Sequence, residues 1–260
     1  MNTSPVFPTS LHQAVADLAA GYFHRLPETD TVLVVNSCAR GKAVPQSDLD
    51  MAILTNLELD PAAVAGMENA WSAFRDTQPV YDQFKRSGRF IQLHLDVIDG
   101  RFEPLDWDDG GGPDFFEVEV GNRLLYSVPL TGAGPRYQAL RQQWLPYYGE
   151  ALRIKRLEMV REACAHDLDH VAFYEKRDLH FQAFDRLYKG YQEFLQALFI
   201  ARRTYPIAYN KWIRDQVVDI LRLPELYPQL HQVMLAGNLQ GGALGKKAEM
   251  LTRFLDDYCT

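Results

Sequence analysis

Two aspartates, Asp48 and Asp50, stand one residue apart at the end of a short polar loop, where an apolar run begins. Alternate residues of a β-strand point to the same face, so a strand over Leu49–Leu54 carries both carboxylates on one side. Two like charges this close repel each other unless a positive charge compensates for them. Because Mg²⁺ prefers oxygen ligands of this kind, the pair predicts a divalent metal site.

A third carboxylate, Asp96, lies on the polar face of the clearest predicted strand, Phe90–Ile98, in which apolar and polar residues alternate. If this strand is the neighbour of the strand that follows Asp48, three carboxylates converge, and two metal ions held there could clamp a phosphoryl displacement. Upstream, Ser37 and the small residues through Gly41 predict a loop whose backbone N–H groups can approach a phosphate closely.

Local patterns predict the elements that position these residues. Ser10 to about Arg25 has the apolar spacing of an amphipathic helix, and Thr31–Val35 is a β-branched run typical of a buried strand. Asp60 followed by Pro61 indicates a helix start, with aspartate at the N-cap and proline at the first helical position.

The later part of the chain is predicted to be mainly helical. Phe115–Val120 and Arg123–Ser127 are predicted as a pair of short strands, and the Gly- and Pro-rich stretch 129–136 as a linker. Beyond it the apolar spacing is that of bundle helices. The predicted organisation is an α/β domain over residues 1–132 and a helical domain over residues 133–260.

Composition and charge limit the classes of protein. The 260 residues are 47% hydrophobic, enough for a packed core, and no apolar run is long enough to span a bilayer. Three cysteines that are distant in sequence argue against a disulfide framework. The N-terminus lacks the basic and apolar regions of a signal peptide, so a cytoplasmic setting without membrane contact is expected.

The acidic residues are concentrated in the first half of the chain. Residues 1–135 contain 9 basic and 19 acidic residues, whereas the whole chain has a net charge of −7. An acidic half argues against a nucleic acid as the main partner and suits metal ions or a small cationic substrate. Surface carboxylates that merely keep the protein soluble are the alternative, and the oligomeric state stays open.

Asn36-Ser37, then ten residues from Cys38 to Ser47, then Asp48-Leu49-Asp50 follow the first predicted strand. The pattern resembles that of the nucleotidyltransferase superfamily related to DNA polymerase beta, in which Gly-Ser, about ten residues and Asp-x-Asp follow a strand. The string "ARG…SDLDMAIL" resembles in particular the small adenylyltransferases that modify aminoglycosides and lincosamides. The motif covers residues 32–54. Asn36 stands where the family has glycine, and asparagine is among the few other residues that tolerate unusual backbone angles.

The resemblance implies an α+β fold, with a small mixed-sheet nucleotidyltransferase domain followed by an all-α helical bundle. It implies two Mg²⁺ ions as cofactors and ATP as the nucleotide donor. Asp48 and Asp50 are then ligands of Mg²⁺. Asp96 helps to bind the second ion and acts as general base on an acceptor hydroxyl.

The resemblance also implies how ATP is held. Ser37, Arg40, Gly41 and Ser47 belong to the loop that binds the nucleotide phosphates, and Lys211, in the string "YNKW", reaches the phosphates from the helical domain. The implied reaction transfers AMP from ATP to a hydroxyl of a small molecule, an aminoglycoside-like or lincosamide-like antibiotic, and releases pyrophosphate.

Other interpretations stay open. The acceptor could be a protein or a tRNA end, and the departure at Asn36 also fits a non-catalytic, antitoxin-like nucleotide-binding module. Lys211 could be an ordinary surface residue. His166 and His170, one helical turn apart, could bind a metal or lie on an exposed face. The acidic stretch around Trp107 could line a pocket for a cationic ligand or be a solvated loop.

Overall fold

The computed structural model describes residues 4–130, 132–235 and 237–260. The fold is mixed α/β and divides into two compact units. The first comprises the chain up to Phe102 together with Val120–Leu145, and the second comprises Glu103–Glu119 together with Pro146–Thr260. The boundary predicted after residue 132 falls within the first unit. Thr131, in the predicted linker, lies outside the described residues.

The first unit is built on a mixed β-sheet. In the described part of the chain its strands are β1 Thr29–Val34, β2 Leu49–Thr55, β3 Leu93–Ile98 and β4 Val128–Pro129, in the order β3-β2-β1-β4. β1 is antiparallel to both β2 and β4, whereas β2 and β3 are parallel. The predicted strands that correspond to β1, β2 and β3 are confirmed, and their predicted bounds differ from the observed ones by up to three residues.

Helices account for most of the remaining chain. In chain order they are α1 Ser10–Phe23, α2 Asn36–Ala39, α3 Pro61–Arg75, α4 Pro79–Arg86, α5 Phe116–Val120, α6 Pro135–Trp144, α7 Glu150–Glu175, α8 His180–Ala201, α9 Leu226–Met234 and α10 Leu244–Tyr258. Shorter π-helical turns cover Gly121–Leu125 and Asp215–Ile220, and a 3-10 turn covers Leu239–Gly241.

Local capping explains where α1 and α3 begin. Asp60 is the N-cap of α3, where its Oδ1 accepts a hydrogen bond of 2.8 Å from Ala63 N, and Pro61 is the first helical residue, as predicted. Thr9 caps α1 in the same way. Phe23 of α1, Trp71 of α3 and Phe84 of α4 pack with buried residues of the strands in the core of the first unit.

The strand pair predicted over 115–120 and 123–127 is wrong. Phe116–Val120 form α5, and Gly121–Leu125 continue the chain as a π-helical turn. The alternation of Val118 and Val120 with glutamates is typical of a strand and suggested one.

Tertiary contacts of Glu117 account for this difference. Its fully buried carboxylate accepts hydrogen bonds from Arg156 Nε at 2.5 Å, from Gln196 Nε2 at 2.9 Å and from the Tyr148 hydroxyl at 2.8 Å. A buried carboxylate is stable only when it is paired and hydrogen-bonded. The partners are supplied by α7, α8 and the segment before α7, so they override the local strand preference.

The second unit is helical and centres on the packing of α7 against α8, with α10 against both. Gly190 lets α7 and α8 approach closely, because a Cβ built at this position would lie 2.7 Å from Leu168 Cδ2. Leu168, Leu187, Phe194 and Leu251 are among the buried side chains of this core. Among the residues that the structure describes, no helix is both long and apolar enough to cross a membrane.

Candidate active site

Three carboxylates share one face of the parallel strands β2 and β3. In the register of this pair Asp50 lies opposite His94, and Ala52 lies opposite Asp96. Residues paired in this way point to the same side of the sheet, as do residues two apart on one strand. Asp48, one residue before β2, therefore points to the same side as Asp50 and Asp96. The condition set for convergence, that the strands carrying these residues are neighbours, is therefore met.

Asp48 is held by the neighbouring strand. Its Oδ1 accepts a hydrogen bond of 3.0 Å from Gln92 N, and its Oδ2 lies 3.7 Å from His94 Nε2. The side chain of Asp48 is 40% exposed. This carboxylate is thus positioned by backbone and imidazole groups while it remains accessible to a ligand.

Asp96 is the most accessible of the three carboxylates, with 67% of its side chain exposed. Its Oδ2 lies 3.4 Å from Arg123 Nη2, on the π-helical turn Gly121–Leu125. Arg123 is not among the predicted site residues, and it lies in a segment that the sequence predicts to be a strand. A cation already stands beside Asp96, which is the electrostatic requirement of a carboxylate cluster.

The three carboxylates share a face without forming a closed cluster. Among the described residues, one trio of carboxylate or imidazole donors lies within 4.8 Å of one another, and it consists of Asp109, His166 and Asp167 instead. The register explains this, since Asp96 is displaced by two residues from the position opposite Asp50. The donor set at β2 and β3 is nevertheless all oxygen and partly exposed, and that chemistry fits Mg²⁺.

The loop before β2 contains two left-handed residues. Asn36 has φ of +54° and Gly41 has φ of +68°, and Lys42 N donates a hydrogen bond of 2.9 Å to Ser37 O across the turn. A left-handed residue followed by helical residues turns successive N–H groups toward one point, which is an anion-binding arrangement. Asn36 thus adopts the conformation for which glycine is the usual residue.

The buried His12 anchors the end of this loop that precedes Asp48. His12 Nε2 donates a hydrogen bond of 2.9 Å to Ser47 O, and the Thr9 hydroxyl lies 2.8 Å from His12 Nδ1. Ser47 Oγ accepts a hydrogen bond from Val44 N at 2.9 Å. The buried His12 therefore ties α1 to the residue just before Asp48. It was missed in the sequence because its partner is 35 residues away.

Cys38 and Arg40 complete the loop. Burial, and then the nearby charge of Asp50, raises the pKa of the Cys38 thiol to about 11, so this thiol is no nucleophile at neutral pH. Burial raises the pKa of Tyr126 to about 12, and the charge of Arg40 opposes that rise. Both residues belong to the first unit.

Lys211 belongs to the second unit and is exposed. The buried Gln216 holds the loop that carries it. Gln216 Oε1 accepts from Ile207 N at 2.6 Å, and its Nε2 donates to Ala208 O at 2.7 Å and to Lys211 O at 3.0 Å. The exposed Lys211 side chain thus extends from a loop whose backbone is held by the Gln216 side chain.

The trio Asp109, His166 and Asp167 lies in the second unit and already contains a cation. Arg186 Nη1 donates to Asp109 Oδ1 at 2.9 Å and also to Asp167 Oδ1. His166 Nε2 lies 3.1 Å from Asp109 Oδ1. His170 is not part of the trio, and its Nδ1 donates to His166 O at 2.8 Å. Because the Arg186 guanidinium already pairs with both carboxylates of this trio, we do not assign the trio to a metal.

No protein-family model matches the chain, and no curated protein is significantly similar to it.

Proposed function

We propose that the chain is a Mg²⁺-dependent nucleotidyltransferase that transfers AMP from ATP to a hydroxyl of a small molecule. The acceptor we propose is an aminoglycoside-like or lincosamide-like compound. One observation supports the proposal most: the parallel register of β2 and β3, which puts Asp48, Asp50 and Asp96 on one face. The left-handed turn at Asn36 supports it further, since phosphate-binding loops use such a turn.

In this proposal the loop Asn36–Lys42 binds the phosphates through its backbone N–H groups and the Ser37 hydroxyl. Asp48 and Asp50 hold Mg²⁺, with Asp96 as a further ligand. When bound, Mg²⁺ supplies positive charge that offsets the charge of the phosphates. His12 and Gln92 act as positioning residues, because they fix Ser47 and Asp48 respectively.

Asp96 is the proposed general base. It takes the proton of the acceptor hydroxyl while that oxygen bonds to the α-phosphorus of ATP. The bond from the α-phosphorus to the oxygen that bridges to the β-phosphate breaks, and pyrophosphate leaves with the bond's electrons. The high exposure of Asp96 leaves room for an acceptor beside it.

The test is label transfer from α-labelled ATP, with Mg²⁺, to a panel of aminoglycosides, lincosamides and metabolites from cell extract. The double variant Asp48→Asn/Asp50→Asn serves as the blank. Asp17→Asn, which makes the same change at an exposed position on α1, is the matched control. We expect label on one compound with the wild type and the control, and none with the double variant.

Other outcomes separate the alternatives. Label on a protein or on tRNA would replace the small-molecule acceptor by a macromolecule. ATP binding without any label transfer would favour the non-catalytic, nucleotide-binding role. Absence of ATP binding would contradict the proposed phosphate loop itself.

A further inference from the structure

A cavity of about 500 Å³ lies within the second unit. It is lined by the segment Glu103–Glu119 and by α7 and α8. Exposed side chains such as Leu105 and Phe115 stand at its mouth, whereas the buried Phe116 and Val160 form its inner wall. The volume is that of a site for a small organic molecule.

One buried carboxylate lines the inner wall without any partner. Glu193, on α8, is 1% exposed, and neither of its side-chain oxygens has a hydrogen-bond partner among the described residues. Burying a polar group without a hydrogen bond costs about 1–3 kcal/mol, and an unpaired charge costs more. A buried carboxyl group without a partner in a cavity wall is expected where a bound ligand supplies the missing hydrogen bond or charge.

Nearby cations are engaged with other carboxylates. Arg186 is bonded to Asp109 and to the fully buried Asp167, and Lys189 Nζ is bonded to Asp185 Oδ2 at 2.8 Å. Cationic partners for Glu193 within its own helix are therefore already used.

The rest of the lining selects the class of ligand. Besides Glu193, acidic side chains of the segment Glu103–Glu119 line the cavity, and no lysine or arginine is among the described lining residues. One of these carboxylates, Asp114, is paired with Arg156 at 2.6 Å. Aromatic and aliphatic side chains, Trp107 among them, supply the remaining surface. An acidic and apolar lining suits an organic cation with an apolar body.

We propose that this cavity, the Glu193 cavity, binds a small organic amine, with the ammonium group paired to Glu193 and the apolar body against the aromatic and aliphatic lining. The proposal does not depend on the proposed nucleotidyl transfer. Binding alone tests it, so the two proposals can fail separately.

The surroundings of Glu193 predict how binding depends on pH. Burial, and then the charge of Asp167 on α7, raises the pKa of Glu193 to about 8, while Arg186 and Lys189 on α8 oppose the rise. The Cys164 thiol on α7 is also close, and its own pKa is raised well above the usual value. Asp114 and Glu119, on the segment Glu103–Glu119, also line the cavity.

Glu193 therefore keeps its proton at pH 7 in the empty cavity and must release it to pair with an ammonium group. An alkylamine has a pKa near 10 and stays charged over this range. Affinity should rise about tenfold from pH 6 to pH 7 and about fivefold from pH 7 to pH 8, and amine binding at pH 7 should release about 0.9 proton.

Isothermal titration with 4-phenylbutylamine tests this, with 4-phenylbutanol as the neutral ligand of the same shape. We expect the wild type to bind the amine about tenfold more tightly at pH 7 than at pH 6, and to prefer it over the alcohol. Glu193→Gln should weaken amine binding at least tenfold and abolish its pH dependence. Glu249→Gln, which makes the same change at an exposed position on α10 outside the cavity lining, should keep the affinity within threefold.

Equal binding of amine and alcohol, or unchanged affinity of Glu193→Gln, would overturn the proposal. If the Glu193→Gln variant does not fold, measurements on the wild type alone test the proposal. Titrations at pH 7 in two buffers of different ionisation enthalpy measure the protons released on binding, and no release, or no binding of the amine at all, would also overturn it.

Discussion

Arg123 Nη2 lies 3.4 Å from Asp96 Oδ2 and supplies a positive charge beside the proposed general base. Arg123 is on the π-helical turn after α5, and Asp96 is on β3, 27 residues earlier in the chain. The site on β2 and β3 thus combines carboxylates from two strands with an arginine from a third element.

Replacing Asp96 by Asn should reduce nucleotidyl transfer at least about 100-fold, because general base catalysis contributes about 10²–10⁴-fold. ATP binding, which relies mainly on the loop and on Asp48 and Asp50, should change only severalfold. Single-turnover kinetics with α-labelled ATP and a separate ATP titration measure the two effects.

Asp99→Asn is the matched control for Asp96→Asn. Asp99 accepts hydrogen bonds from Arg101 at 2.9 and 3.0 Å, and this pairing occupies its carboxylate. Turnover of Asp96→Asn within a few-fold of the wild type would remove Asp96 from its role, and a loss with Asp99→Asn instead would make Asp99 the base.

Asn36→Ala should destabilise the protein by about 1–2 kcal/mol, because a residue with a Cβ pays this cost in the left-handed region that φ of +54° requires. Asn36→Gly should keep the stability of the wild type or exceed it, since glycine adopts this conformation freely. Urea unfolding of the three proteins measures the effect. A glycine variant that loses as much stability as the alanine variant would show that the Asn36 side chain, rather than its backbone conformation, is required.

His12→Phe should lower the free energy of unfolding by about 1–3 kcal/mol, the cost of leaving buried hydrogen-bonding groups without partners. Phenylalanine keeps a ring against Phe84, whose centroid lies 4.9 Å from that of His12, but loses the hydrogen bond to Ser47 O. ATP affinity should fall as well, because the loop before Asp48 is released.

His24→Phe makes the same change at an exposed position just after α1 and should leave stability and ATP affinity unchanged. Urea unfolding and ATP titration of both variants provide the comparison. If the His12 variant matched the His24 variant in both, the anchoring of the loop by His12 would be disproved.

Glu193 should make the wild type lose stability as pH rises. Its pKa is about 8 in the folded protein against the ordinary 4.5, raised first by burial and then by Asp167, with Arg186 and Lys189 in opposition. Between these two values the unfolded chain releases the proton and the folded chain keeps it, so rising pH favours unfolding.

Glu193→Gln cannot titrate and is the reference for this effect. The free energy of unfolding of the wild type should fall relative to the variant by up to about 1.4 kcal/mol per pH unit between roughly pH 5 and 8. Urea unfolding at unit pH intervals measures both. Parallel pH profiles would mean that Glu193 titrates normally and would contradict a buried, unpartnered carboxylate.

Local sequence patterns determined much of the first unit. The β-branched run of β1, the alternation along β3 and the Asp60-Pro61 start of α3 are each decided within a few residues, so the sequence predicts them. The period of two also puts Asp48 and Asp50 on one side of β2 without knowledge of any other element.

Tertiary structure decided the remainder, because the deciding partners are distant in the chain. Segment 116–120 is helical since Glu117 is buried against Arg156 and Gln196, which are 39 and 79 residues away. The pairing of Asp96 with Arg123 depends on the π-helical turn Gly121–Leu125, which directly follows this helix. Glu193 has no hydrogen-bond partner among the described residues because none of its neighbours there offers it a donor. The periodic apolar pattern of α8 does not indicate this, since it says nothing of neighbours from other elements.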